Sequence, residues 1–349
     1  MTRAVLEIRT SPHIVSGNSV VSIMFNVVLA LIPVSVFAVY AFGFTALATL
    51  ATALASCVAT EHLLCRTASK DTTVGDWSAV ITGLLYGLTL PPGLPLWMVA
   101  AGGFIAIAVG KYLFGGLGYN VFNPALVGRA ILQATFPVPM TTWVDAFRPD
   151  RFTTIVSSSL TPPLSRPQPI ADVVSGATPL SAWKFDEELA RAGDLVMGYT
   201  SGSTGETCAV LILIGGAWLV ARKMMNWRIP AAIFATVIAF SGVFWLIDSQ
   251  TYPSPVFMLF SGGLMLGAVF MATDMVGSPM TGLGCVIYGA AIGALIVVIR
   301  LWGSMPEGVM YAILLGNALS PHIDAMLRPR VYGTRPESAP KADRGKEAT

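Results

Sequence analysis

The side chains most able to do chemistry lie in one stretch, Asp172-Val173-Val174-Ser175-Gly176-Ala177-Thr178-Pro179-Leu180. Read locally, Thr178 before Pro179 is a helix N-cap with proline at the first helical position. The same hydroxyl stands beside Gly176 and Ala177, which leave room for a bulky group, and it can take a phosphoryl-linked cofactor as a phosphoester. The two readings are compatible, because a helix N-terminus also favours a phosphate. Carboxylates able to bind or relay an ion are Glu61, Glu206, Asp274 and Glu307, since ionisable groups in or near a membrane are functional candidates by default. Asp274, next to Thr273, either handles a cation at a helix break or sits in a solvated turn. Other chemistry is thinly supported. Cys57, Cys65, Cys208 and Cys285 form no CxxC pair, so neither a zinc site nor a disulfide framework is expected. His13, His62 and His322 are scattered along the chain, and Gly202-x-x-Gly205-Glu206 lacks the Lys-Ser/Thr of a phosphate-binding loop.

These residues are carried by a chain of 349 residues that is 54% hydrophobic and 11% charged. Soluble domains carry about 25% charged residues. With a mean hydropathy of +0.69 and a net charge of only +2, the composition excludes a soluble globular enzyme, a nucleic-acid binder and a disordered chain. An integral, all-α polytopic membrane protein remains. A spanning helix needs about 20 mostly apolar residues. Residues 10–60 and 77–110 hold no Asp, Glu, Lys or Arg, and each run suffices for two spans, the second broken at Leu90-Pro91-Pro92-Gly93-Leu94-Pro95. Further candidates are about 120–133, a shorter stretch interrupted by Asn123-Pro124, and 207–221, 229–247, 249–273, 275–299 and 308–323, giving about ten helices. The division expected is a first membrane half, 1–133; a long loop, 134–206; a second membrane half, 207–324; and a charged, disordered tail, 325–349. The first apolar stretch is too long for a signal-peptide core, so no cleaved leader is expected.

Orientation follows from Lys and Arg in the short loops. One side collects Arg3, Arg9, Arg66, Lys70, Lys111, Arg222, Lys223, Arg228 and the basic C-terminal tail, whereas the turns near 91–95, 248–255 and 303–307 hold none. Both termini are therefore expected in the cytoplasm and the long loop, with Thr178, outside. Internal symmetry is suggested by Gly83-Leu84-Leu85-Tyr86-Gly87 against Gly263-Leu264-Met265-Leu266-Gly267. Five helices per half makes such repeats inverted, and inverted repeats place sites at broken helices.

Several motifs in order carry a resemblance: Ser11-Pro12-His13-Ile14, Phe114-Gly115-Gly116-Leu117-Gly118, Asn120-Val121-Phe122-Asn123-Pro124-Ala125, Trp227-Arg228-Ile229-Pro230, Phe270-Met271-Ala272-Thr273-Asp274 and Tyr311-Ala312-Ile313-Leu314-Leu315. Asp-x-x-Ser-Gly-Ala-Thr is similar to the sequence on which a flavin transferase attaches FMN to threonine. From Ser11 to about Asp324 the chain resembles the D subunits of Rnf ion-translocating oxidoreductases and, more distantly, the B subunits of sodium-pumping NADH:quinone reductases. Met275 departs from the proline expected after Thr-Asp.

The resemblance implies a bacterial inner-membrane subunit of a redox-driven translocase with no complete activity alone. It implies FMN on Thr178, with Asp172, Ser175, Gly176 and Ala177 read by the transferase, and a non-covalent riboflavin. For the riboflavin the candidates are Asn120 and Asn123, which share a face if their segment is helical. Their carboxamides can pair with a flavin edge or bond between helices. Implied partners are the A, B, C, E and G subunits of the Rnf complex, which supply the NADH- or ferredoxin-facing and cluster-bearing parts, and the membrane lipid. The alternative is a solute channel or secondary transporter with a urea-channel-like inverted-repeat fold, because architecture alone does not separate the two.

Overall fold

The computed structural model describes residues 19–69, 72–163, 165, 177–186, 188–206, 208–303 and 307–328. Asp172, Ser175, Gly176, the N-terminal motif and the tail beyond residue 328 lie outside these residues; Ala325 and Met326, expected in the tail, instead end a helix. Among the described residues every regular element is helical. The long helices are α1 (Val20–Phe42), α2 (Phe44–Thr67), α3 (Ser78–Leu88), α4 (Leu96–Ala108), α5 (Pro124–Thr135), α6 (Ala209–Ala221), α7 (Arg228–Ile247), α8 (Gly282–Trp302) and α9 (Val309–Met326). Helices α1, α2, α7 and α8, and the segment Leu96–Phe114, are long and apolar enough to cross a membrane.

Local chemistry sets the boundaries. Ser19 caps α1 by accepting the Ser22 N–H at 3.2 Å. At 1.5 Å per residue its 23 residues rise roughly 35 Å, the depth of a bilayer core. It ends at Gly43, whose φ is +70°, and a Cβ there would lie 1.9 Å from the Arg151 carbonyl oxygen. Only glycine lets the α1–α2 corner press against the loop, whose Arg151 carbonyl accepts the Phe44 N–H at 3.0 Å.

Three expected spans are drawn differently. The segment expected over 120–133 is helical only from Pro124, because proline disfavours the α-conformation at the residue before it and suits the first helical turn itself. The expected span 249–273 is broken into Pro255–Phe260, Leu264–Leu266 and a π-turn at Gly267–Met271; Gly262, at φ +62°, interrupts it. The expected span 275–299 begins at Gly282, where the Thr281 hydroxyl accepts the Gly284 N–H at 3.0 Å.

Packing runs α2 on α3 and α4, α4 on α5, α1 on α6, and α7 on α8, with α8 on α9. Small residues permit the close approach expected of helices in lipid. A Cβ on Gly83 would lie 2.8 Å from Leu54 Cα of α2, and one on Gly293 2.9 Å from the Ile233 carbonyl of α7. The long loop folds onto one end of the bundle: the Ser158 hydroxyl donates to Gly93 O at 2.7 Å, and Phe147 contacts the rings of Phe37, Tyr40 and Tyr199.

Candidate functional site

Two polar sites stand at opposite ends of the bundle. The first is built where α5 starts. Asn123 caps that helix, its Oδ1 accepting the Ala125 N–H at 3.0 Å while its Nδ2 donates to Met271 O at 3.2 Å. Asn120 Nδ2 donates to Asp274 Oδ2 at 3.2 Å and to Phe122 O at 3.3 Å. The two asparagines thus do not share a helical face; they meet because the turn before α5 and the break after Met271 converge. Asp274 lies in that break, half-buried, with Oδ1 accepting the Val276 N–H at 3.4 Å. The helix breaks there without the expected proline: Met275 is exposed, and the Thr273 hydroxyl turns back onto Val269 O at 2.6 Å.

These groups line a partly open cleft of about 100 Å³, together with Ser78, Thr82, Lys111 and an apolar wall that includes Met24, Val27, Leu85, Met224 and Phe270. A few convergent polar groups on an apolar wall suit a planar organic ligand. Two features of this end were not drawn from the sequence. Lys111, counted there as a loop charge, is 4% exposed and donates to both oxygens of Glu61, at 2.7 and 2.8 Å. It also reaches Ser78 Oγ at 2.5 Å, and the Thr73 hydroxyl donates to Glu61 as well. Glu61 is therefore an ion-pair partner, and its fifty-residue separation from Lys111 hides the pairing in the sequence. The Asn317 amide, oriented to satisfy its neighbours, accepts the Asn123 N–H at 3.0 Å and donates to the Tyr288 hydroxyl at 2.7 Å, tying α9 to the start of α5.

The second site surrounds Thr178. Its φ of −69° and ψ of 152° are those of an N-cap before Pro179, and helical turns continue to Asp186. Thr178 Oγ1 accepts the Ser181 N–H at 3.2 Å and donates to Ser181 Oγ at 3.0 Å. Thr178 is 1% exposed, whereas Ala177 beside it is exposed. The helical segment is pinned to the bundle: Leu180 packs with Leu195 and Phe257, and Lys184 Nζ donates to Arg300 O at 3.0 Å and to Gly303 O. Desolvation against those carbonyls pulls the Lys184 ammonium below the usual lysine range. The residues present fit a phosphate ester in one respect that can be read directly: the hydroxyl lies at the positive end of a helical segment, with an N–H already aimed at it.

Of the other carboxylates, Glu307 pairs with Arg129 at 2.8 Å, and Glu206 lies beside Gly263 at the same end as Thr178. Among the described residues no cluster of His, Cys, Asp and Glu is able to hold a metal ion. All four cysteines are buried and free.

Comparison with known proteins agrees along nearly the whole chain. Residues 7–333 match the model of the NQR2, RnfD, RnfE family. The chain is similar to the D subunit of the proton-translocating ferredoxin:NAD(+) oxidoreductase complex of Clostridium ljungdahlii, 40% identical over 95% of this chain and 97% of that relative. It is equally similar, at 40%, to the D subunit of the Na(+)-translocating ferredoxin:NAD(+) oxidoreductase complex of Acetobacterium woodii, over 94% of this chain and 95% of the relative. The D subunit of the ion-translocating oxidoreductase complex of Stutzerimonas stutzeri is also 40% identical, over 93% and 95%. The chain belongs to the NQR2, RnfD, RnfE family.

Proposed function

We propose that this chain is the D-type membrane subunit of an ion-translocating oxidoreductase complex, with FMN esterified to Thr178 and a non-covalent riboflavin in the cleft at Asn120 and Asn123. The observation that carries the reading is the Asp172-to-Thr178 motif ending on a hydroxyl at a helix N-terminus, in a chain of this family. When bound, a flavin accepts and releases electrons singly or in pairs; the protein supplies position and electrostatics. Here Thr178 would hold the phosphate, the Ser181 N–H and the helix end would favour its negative charge, and Leu180 and Lys184 hold the segment against the bundle. At the opposite end Asn120 and Asn123 would offer carboxamides to a ring edge, beside an apolar wall that includes Met24 and Met224.

The basic residues near the Asn120 end support a cytoplasmic position for that end and for both termini, and a periplasmic one, at the inner membrane, for Thr178. The chain holds neither a dinucleotide fingerprint nor a cysteine cluster, so partner subunits supply the donor and acceptor sites. Relatives of equal identity are named for proton and for sodium transport, and coupling to one of these ions belongs to the assembled complex.

Two measurements test the reading. Mass spectrometry of the proteolytic peptide containing Thr178 is expected to show the mass of FMN less one water; an unmodified peptide from cells that hold the transferase rejects it. Replacing Asn120 and Asn123 together with leucine is expected to lower extractable riboflavin while leaving covalent FMN intact. Unchanged riboflavin rejects the assignment of the cleft.

A further inference from the structure

At the Thr178 end, a second, partly enclosed cavity of about 20 Å³, room for about one water, is lined by Thr89, Arg129, Ser203, Glu206, Arg300 and Glu307 among apolar side chains. Arg300 is fully buried and spends its two terminal nitrogens on backbone carbonyls, Met258 O and Ser261 O, the latter at 2.8 Å. Arg129, 6% exposed, gives one nitrogen to Glu307 Oε2 at 2.8 Å. Glu206 has only the Ser203 N–H, at 3.4 Å, on its Oε2 among the bonds between described residues.

The cluster is incompletely satisfied. Arg129 Nε, Arg300 Nε, Ser203 Oγ, Ser261 Oγ and Glu307 Oε1 are buried with no hydrogen-bond partner among the described residues, and they make up five of the seven such side-chain atoms. Buried polar atoms are rarely left unpaired, and a polar cavity offering several of them holds water. Glu307 has one oxygen on Arg129, the other unpartnered, and a second carboxylate, Glu206, within electrostatic reach. Two carboxylates sharing a low-dielectric site do not both ionise readily. Arg129 and Arg300 are the other charged groups facing the cavity, and among the described residues no group of His, Cys, Asp and Glu is placed to hold a metal ion.

We propose that this cavity is a hydrated proton-holding site in which Glu307, tied to Arg129 and facing Glu206 and Arg300, exchanges a proton with internal water. The transfer is one proton between hydronium and a carboxylate oxygen, giving water and the neutral acid; no other bond is made or broken. The site is distinct from the Asn120 cleft. The two lie towards opposite ends of α3, and at the start and the middle of α5, with the Leu264–Met271 segment between them: Leu266, Gly267 and Met271 face the proton site, while Val269 and Phe270 face the cleft.

The test is infrared H/D-exchange spectroscopy of the full chain in lipid, expressed without flavin transferase so that its outcome is independent of the Thr178 reading. Wild type is expected to show the C=O band of a protonated carboxyl that shifts in D2O and disappears on alkalinisation. Glu307→Gln is expected to remove that band. Glu206→Gln, which takes away the neighbouring negative charge, is expected to retain it but move its titration to lower pH by about one unit. This second variant keeps the proposal testable if Glu307→Gln does not fold. A wild type without such a band, or a band that survives Glu307→Gln or does not move in Glu206→Gln, overturns the proposal and leaves the cluster a fixed ion pair.

Discussion

Single residues here hold positions that their neighbours in sequence do not reveal. Thr178 is at once the cap of its helical segment and the proposed point of flavin attachment. Thr178→Ala, which removes the cap, is expected to cost about 1 kcal/mol locally, whereas Thr178→Ser keeps an oxygen for the Ser181 N–H. Hydrogen exchange over residues 179–186 checks the difference. The capping role was legible from Thr-Pro alone; the pinning of the segment by Lys184 to the far end of α8 was not, because it joins residues 116 apart. The Glu61–Lys111 pair shows the same blindness. A buried ion pair is weak evidence for stability, yet removing one partner strands the other charge and costs about 3–5 kcal/mol. Lys111→Met is therefore expected to lower the unfolding temperature in detergent sharply. The double variant Glu61→Gln with Lys111→Met is expected to recover most of the loss; a double variant no better than the single contradicts the stranded-charge account.

Elements were legible where a long apolar run has no interruption and illegible where the chain breaks within the membrane. Helices α1 and α7 follow directly from charge-free runs of spanning length, and α2 and α8 follow from theirs with shifted ends. The Asn123-Pro124 interruption marks the start of α5 in the sequence, but reading Asn120 and Asn123 through helical spacing across that interruption put them on one face, which they do not share. The break at 261–263 depends on Gly262 adopting a positive φ, which no periodicity announces. Close packing between helices is a testable consequence of the glycines. A side chain at Gly293 would meet the Ile233 carbonyl at 2.9 Å, so Gly293→Leu is expected to cost at least 1–3 kcal/mol by overpacking and to reduce the yield of monodisperse protein. Gly242→Ala, where a Cβ meets only Pro255 Cγ at 3.6 Å, is expected to change little. Equal behaviour of the two variants contradicts this packing.

At the scale of the whole molecule, the structure separates two polar ends, each site assembled from elements distant in sequence. The cleft joins the start of α3, the turn before α5 and the break at 272–281. The Thr178 segment rests on the opposite end of α8. That polarity is the feature an electron-transport subunit uses, and it predicts sidedness. The four native cysteines are buried, so a membrane-impermeant maleimide is expected to label Gln250→Cys in intact cells and Met280→Cys only after lysis. The reverse pattern inverts the orientation. The most direct test of the central claim is in-gel flavin fluorescence of the denatured chain, made with and without a flavin transferase, wild type beside Thr178→Val. The account predicts a fluorescent band only for wild type with the transferase, and both proteins present in the membrane. Fluorescence retained by Thr178→Val, or absent from wild type in the presence of the transferase, contradicts it.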